Sequence, residues 1–352
     1  MNYKIIIIII IIITCFLIIL NPHHCINIII AILSTCPLIY SILRSEIKTK
    51  KKDNLILKKE QFSNNIINLD NIQKITKEIS IIRPVNSYNL KNIKQIIINY
   101  LNKIPGFITE EQSFTQQINN NFYDFSNIIS YNQNIKSNNQ EIILAAHIDS
   151  LDFMDGAIDS ATSIALIIEL TNKIINYNPY YPLKIVFFDG EEAIDGSWSL
   201  TNTLIGSKYY VNNISSNNIS SNNISSNNIS SNNKSSNNKL VFILDLIGGS
   251  IEENKIFNFI CNPKSIKINK KLFQINNKLY PDKKIFIDPN VQISTKIIDD
   301  DHIPFSNANI PYIHLIPDKF PKQHHTIDDN YSNINWNYIN IFSNVLLNFF
   351  IE

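Results

Sequence analysis

Three short runs of β-branched, aromatic and aliphatic residues each end in a carboxylate or an imidazole. This recurrence constrains the fold more than any other feature of the chain. Lys184-Ile185-Val186-Phe187-Phe188 leads into Asp189-Gly190-Glu191-Glu192. Ile142-Ile143-Leu144-Ala145-Ala146 leads into His147-Ile148-Asp149, and Leu240-Val241-Phe242-Ile243-Leu244 into Asp245. Runs of this length and composition read as buried strands, and Asp-Gly is turn chemistry that stops one. Two glutamates just past a strand end add little to packing. They stand where rigid strands pass to loops, the place where functional groups concentrate. Taken alone, the pair reads equally as a solvated turn.

Helical spacing alternates with the strands. Lys91–Lys103 carries Ile93, Ile96, Ile97, Ile98, Tyr100 and Leu101 on a helical period, and Pro105-Gly106 ends it. Ser160–Ile175 reads as a helix with Asp159 at its N-cap. Asn121–Ser130, Glu141–His147, Leu183–Phe188 and Leu240–Leu246 read as strands. The alternation predicts an α/β fold: a globular domain with a central mixed, largely parallel β-sheet flanked by helices. Ligands of such sheets bind outside the carboxyl ends of the strands. The strand-end residues can therefore converge with Asp299-Asp300-Asp301-His302 and with His324-His325. Carboxylates and imidazole together suit zinc, which takes three protein ligands and keeps one open position for chemistry. Singly, each has a plainer reading: Asp159 as an N-cap, Asp299–Asp301 as a solvated acidic run, His325 as a turn residue. Asp245 resists one, because a carboxylate at the end of an apolar strand is costly unless it is paired.

The rest of the chain sets limits. Lys and Arg number 31 against 30 Asp and Glu in 352 residues, so no basic excess points to nucleic acid and no acidic excess to a solvating tail. Only 7 glycines argue against a Gly-rich phosphate loop. Ile5–Ile13 is an unbroken isoleucine run, and 25–43 is a second apolar stretch followed by Arg44, Lys48 and Lys50-Lys51-Lys52. Residues 1–43 are expected to form a membrane anchor or signal-anchor of one or two spans, and 44–70 a charged linker. A soluble domain then covers 71–352. Tandem Asn-Asn-Ile-Ser-Ser units within 212–239 have no apolar face and predict a disordered surface insertion. Of four cysteines only Cys261 falls in the soluble domain, which therefore has no internal disulfide. Nothing predicts an oligomer, so a monomer is expected.

Several segments together resemble the animal-type glutaminyl-peptide cyclotransferases (glutaminyl cyclases), relatives of the zinc aminopeptidases. They are Phe125-Ser126-Asn127-Ile128-Ile129-Ser130, Phe187-Phe188-Asp189-Gly190-Glu191-Glu192-Ala193, Leu244-Asp245-Leu246-Ile247-Gly248, Asp300-Asp301-His302-Ile303-Pro304-Phe305, His314-Leu315-Ile316-Pro317 and His325-Thr326-Ile327-Asp328-Asp329-Asn330. Their order and spacing agree from about Ile82-Arg83-Pro84 to the C-terminus, apart from the repeat. The resemblance implies a central mixed sheet of about six strands and one catalytic zinc held by Asp159, Glu192 and His325. It implies Glu191 as general acid/base, joined to Asp300 and Asp245 in a carboxylate network. It also implies a substrate pocket walled by Trp198, Ile298, Phe320 and His324. The implied reaction is an aminoacyl transfer: N-terminal glutaminyl residues of peptides or proteins cyclise to pyroglutamyl with loss of ammonia, and glutamyl residues more slowly with loss of water. The chain departs from the family at His324, where tryptophan is usual, at Asp299, where glutamine is frequent, and at Ala146 and Ile164, near the cysteines of a disulfide found in secreted members. A two-zinc aminopeptidase is the alternative, because His147 and Asp245 match positions that hold a second metal in those relatives. The expected location is a membrane of the secretory or endomembrane system.

Overall fold

The computed structural model describes residues 66–135, 140–220, 239–249, 257–261, 266–286, 288 and 298–352. The expected anchor over 1–43, most of the linker and residues 221–238 of the repeat lie outside them. Among the described residues no helix is long and apolar enough to cross a membrane. Ile67–Glu352 forms one compact unit.

Helix α1, Leu69–Ile79, starts at Asn68, whose side chain accepts from Asn71 N. Helix α2, Tyr88–Leu101, starts at Ser87, whose hydroxyl accepts from Leu90 N. Each cap supplies an acceptor to a first-turn N–H that has no helical partner. A hairpin follows, β1 (Phe107–Ile118) and β2 (Asn121–Asn132), closed by Asn119 and Asn120. Both asparagines are left-handed, at φ 47° and 69°, the conformation that a two-residue hairpin turn requires. Next come β3 (Glu141–His147), α3 (Thr162–Tyr177), β4 (Leu183–Phe188), α4 (Ile205–Ser220), β5 (Lys239–Leu244), β6 (Phe257–Cys261), α5 (Ile266–Leu279), α6 (His302–Asn307), β7 (Tyr312–Pro317) and α7 (Trp336–Ile351).

The sheet has seven strands in the order β1-β2-β4-β3-β5-β7-β6, one more than expected. It is parallel only at its centre, where β4, β3, β5 and β7 run together; the β1–β2, β2–β4 and β6–β7 pairs are antiparallel. The expectation of a largely parallel sheet thus holds for the middle and fails at both edges. Alternate residues of the central strands serve opposite faces. Ile143, Ala145, Val186, Phe188, Val241 and Ile243 pack with Tyr210 and Val211 of α4 and Phe305 of α6. On the other face Phe242 meets Phe349 and Phe350 of α7.

Two further expectations change. Helix α3 begins at Thr162, after a π-type turn over Ala157–Ala161, and no side chain caps it, so Asp159 is not an N-cap. Helix α4 extends to Ser220, through residues assigned from composition to the disordered insertion. Once Tyr210 and Val211 anchor that helix in the core, each further turn adds hydrogen bonds without a new nucleation cost.

Candidate active site

The parallel strands β3, β4, β5 and β7 end on one edge of the sheet, which carries their terminal residues to a single cleft of about 790 Å³. Asp159, Glu191, Trp198, Asp245, Ile298, Asp300, Phe320, His324 and His325 all line it. Glu192 lies behind the lining, 4% exposed. The residues nominated from the sequence therefore share one site, although they span 167 positions from Asp159 to His325 counted inclusively.

The turn after β4 divides the two glutamates. Gly190 has φ +72°, and a Cβ there would come within 2.6 Å of the Phe125 ring. Asp149 grips the turn from beneath: its Oδ1 accepts from Glu191 N at 3.1 Å and its Oδ2 from Glu192 N at 3.0 Å. Asp189 is held below it by Lys94 Nζ at 2.5 Å and by Ser126 N at 2.8 Å. The Asp159 turn is tethered as firmly. Asp329 accepts from Ile158 N at 2.6 Å and from Asp159 N at 3.2 Å. The fully buried Arg83 donates to the carbonyls of Ile148, Ile81, Asp155 and Gly156.

His325 stands within metal-sharing reach of both Asp159 and Glu192. His325 Nε2 is 3.7 Å from Asp159 Oδ2 and 3.4 Å from Glu192 Oε2. Two ligands each about 2.0 Å from a tetrahedral zinc stand roughly 3.3 Å apart. Both carboxylate oxygens of Glu192 are buried without a hydrogen-bond partner, a costly state that a cation relieves. The donor set and its spacing therefore fit a zinc ion. Among the described residues two clusters gather one ligand atom per residue within 4.8 Å: Asp159 with His324 and His325, and His147 with Asp159 and Asp245. In the latter His147 Nε2 lies 2.7 Å from Asp159 Oδ1, hydrogen-bonded to it, and 3.3 Å from Asp245 Oδ1.

The electrostatics are dominated by buried carboxylates. Burial pushes Glu191 well above the ordinary glutamate range, His147 opposes this, and the charges of Asp300, Glu192 and Asp301 push it further. Burial, with Asp159 beside it, raises Glu192 to about 7. Asp245 is likewise raised well above its ordinary value by burial and by Asp159 and Asp300. Asp300 goes the other way: burial works against ionisation, but the His314 imidazole, 2.7 Å away, holds the carboxyl below its usual range. Burial and the charge of Asp300 raise Asp301 to about 8. Carboxylates crowded in one cavity are driven apart in this way, and Asp159 joins Asp300 on the lowered side because the His147 imidazole outweighs its burial.

The sequence reading left Asp149, Asp329, His314 and Arg83 without roles. Each stood inside a quoted motif, but a sequence does not show what such a residue reaches across the fold. His314 pairs with Asp300 only because β7 aligns with β5, placing His314 opposite Ile243.

An α/β sheet with an acidic, metal-competent cleft at the carboxyl ends of its parallel strands defines the class. Residues 127–350 match Peptidase family M28, and the chain belongs to that family. A glutaminyl-peptide cyclotransferase of Dictyostelium discoideum is 28% identical over 336 residues, covering 86% of this chain and 89% of its own. A glutaminyl cyclase structure from Macrostomum lignano superposes with a TM-score of 0.68 at 24% identity, covering 82% of this chain and 90% of that one. A leucine aminopeptidase precursor from Bacteroides thetaiotaomicron superposes at 0.63 with 21% identity, covering 82% and 98%.

Proposed function

We propose that this chain is a glutaminyl-peptide cyclotransferase that uses one zinc ion, held by Asp159, Glu192 and His325, to convert N-terminal glutaminyl residues of peptides or proteins to pyroglutamyl. The observation that carries the reading is the division of labour on the β4 turn: Glu192 faces the ligand triad while Glu191, one residue away, faces the cleft. Bound zinc supplies Lewis-acid polarisation of the side-chain carbonyl. The substrate's own α-amine attacks the γ-carbonyl carbon, so the protein needs no nucleophile. Glu191 takes a proton from that amine as the C–N bond forms and passes it to the departing nitrogen, which leaves as ammonia. Burial raises the Glu191 carboxyl well above the ordinary glutamate range, which favours the protonated form that returns a proton to the departing nitrogen. Trp198, Ile298, Phe320 and His324 wall the cleft and hold the amine against the carbonyl. Asp300, held ionised by His314, raises Glu191 together with Glu192 and Asp301, and Asp245 lines the same cleft. Glutamyl substrates would lose water instead, and more slowly.

The His147, Asp159 and Asp245 cluster favours a second reading, a two-zinc aminopeptidase. The glutaminyl-peptide cyclotransferase of Dictyostelium discoideum, which matches 86% of this chain, favours the first reading. Metal content and product analysis separate the two. The cyclase releases ammonia from a Gln-peptide with one zinc per chain, and a chelator stops it. Two zinc ions per chain with release of the N-terminal residue and no ammonia would replace this reading by the other.

Residues 1–43 tether the domain to a membrane of the secretory or endomembrane system. Their apolar composition and the basic residues after them support this. Carbonate extraction of membranes from expressing cells tests it: the full chain stays in the pellet, and recovery in the supernatant would refute the tether.

A further inference from the structure

The cleft carries a carboxylate that neither the ligand triad nor the proton path uses. Asp299 is exposed and lines the cleft between Ile298 and the buried Asp300. Trp198 and Phe320, 41% and 43% exposed, stand with it where the cleft opens to solvent. The other acidic side chains of the lining are engaged. Asp159 Oδ1 and Asp245 Oδ1 lie 2.7 Å and 3.3 Å from His147 Nε2, Asp300 pairs with His314 at 2.7 Å, and Asp318 has an interaction of its own. Among the described residues no hydrogen bond or ion pair engages the Asp299 carboxylate. Its charge bears on Lys208, but that ammonium donates to the carbonyls of Leu200 at 2.6 Å and Thr203 at 2.7 Å. A second segment lines the opening with Lys319, Phe320 and His324. There His324 lies flat on His325, with ring centroids 3.8 Å apart and planes 24° from parallel, over a backbone that is left-handed at His325, φ 53°.

We infer that Asp299 selects substrates in which lysine or arginine directly follows the N-terminal glutaminyl residue. The inference rests on the cyclase reading above and names the class of peptide that this site takes. The glutaminyl side chain and α-amine react at the ligand triad and Glu191. Only the carbonyl side of that residue leads away, so the rest of the peptide leaves through the opening of the cleft. Asp300 and Asp299 are one residue apart, about 3.8 Å between Cα atoms, with Asp300 buried and Asp299 exposed. The substrate makes the same step between its first and second residues, which sets the second side chain at the depth of Asp299. A carboxylate without a counter-ion attracts a cation at that position and repels an anion. The ionised Asp300 behind it adds to a field of the same sign. Selection at the second residue is therefore by charge.

Ammonia release by the zinc-loaded full chain from the peptide amides Gln-Lys-Ala, Gln-Ala-Ala and Gln-Glu-Ala reads the selection. Amidation removes the terminal carboxylate that Lys319 would attract. At low ionic strength kcat/KM for Gln-Lys-Ala exceeds that for Gln-Ala-Ala by about two- to fivefold, the range of an exposed ion pair, and Gln-Glu-Ala falls below both. Roughly 0.5 M salt brings the three together, because exposed charges are screened. In Asp299→Asn the order disappears at low salt, and in Asp299→Lys it reverses. Each ratio is taken within one preparation, so a smaller folded fraction leaves it unchanged. Equal or reversed rates in the parent, or a lysine preference that survives Asp299→Asn, would overturn the inference and leave the cyclase reading standing. If none of the three peptides releases ammonia, the cyclase reading fails and this inference with it.

Discussion

At Gly190 the chain adopts φ +72° against the Phe125 ring, and the consequence is chemical. A continued strand would send Glu191 and Glu192 to opposite faces of the sheet. The turn instead sends one to the cleft and the other to the ligand triad, with Asp149 fixing both backbone amides. Glu191→Gln keeps the shape and removes the proton carrier. It should lower kcat by about 10²- to 10⁴-fold, the usual contribution of a positioned acid or base, with zinc content unchanged. Parallel measurements of ammonia release and bound zinc check this. Arg83 has no chemical part, yet its guanidinium satisfies four carbonyls around the Asp159 turn. Arg83→Met leaves those carbonyls buried and unpaired. The variant should lose about 3 kcal/mol or more of unfolding free energy, measured by urea denaturation of the metal-free protein.

The elements position the site because each delivers its functional residue from a fixed end. Strand β3 delivers His147, β4 the glutamate turn, β5 Asp245, and β7 the His314 that ionises Asp300. Strand β4 also carries a titrating support. Burial raises Asp189 to about 6, against the pull of Lys94, which holds its Oδ2. The carboxyl has a higher pKa folded than unfolded, so folding takes up a proton between about pH 4 and pH 6. Its contribution to stability is complete below the unfolded value and is lost as pH rises through the folded one. At about 1.4 kcal/mol per unit the loss is roughly 3 kcal/mol across that window. In Asp189→Asn the unfolding free energy should fall less steeply between pH 4 and pH 6 than in the parent. Identical slopes would show that Asp189 does not titrate in that range.

On the scale of the whole molecule, the core and the cleft both belong to Ile67–Glu352. A chain beginning at Ile67 should fold without the preceding residues and release ammonia from a Gln-peptide at the parent rate, since every residue assigned to the chemistry lies within it. Deleting 221–238 should leave both melting temperature and turnover close to the parent. The Asn/Ser repeat has no apolar face to lose. A fall of more than a few degrees would assign the repeat a structural part. The edges of the sheet behave differently from its centre. Strand β1 is polar and mostly exposed, an edge strand that gains its order from pairing along β2.

The sequence by itself determined the central strands, the strand-end position of the acids and histidines, and the β4 turn. Local chemistry suffices for these: β3 and β4 have the predicted bounds because apolar runs stop at polar turns. Their convergence on one cleft followed from the parallel order that the alternation of strands and helices imposes. The tertiary structure alone decided the rest. Strand β1 was illegible because it is polar and takes its order from pairing along β2 rather than from its own composition. Asp159 taken singly read as a helix cap, and only the resemblance made it a ligand; the π-type turn before α3 is what aims it at His147 and His325. The pairing of His314 with Asp300, the grip of Asp149 beneath the glutamates and the stack of His324 on His325 depend on register between distant strands or on a left-handed backbone turn. Such contacts are set by the packed sheet and by one residue's φ, and neither is written in the residues that make them.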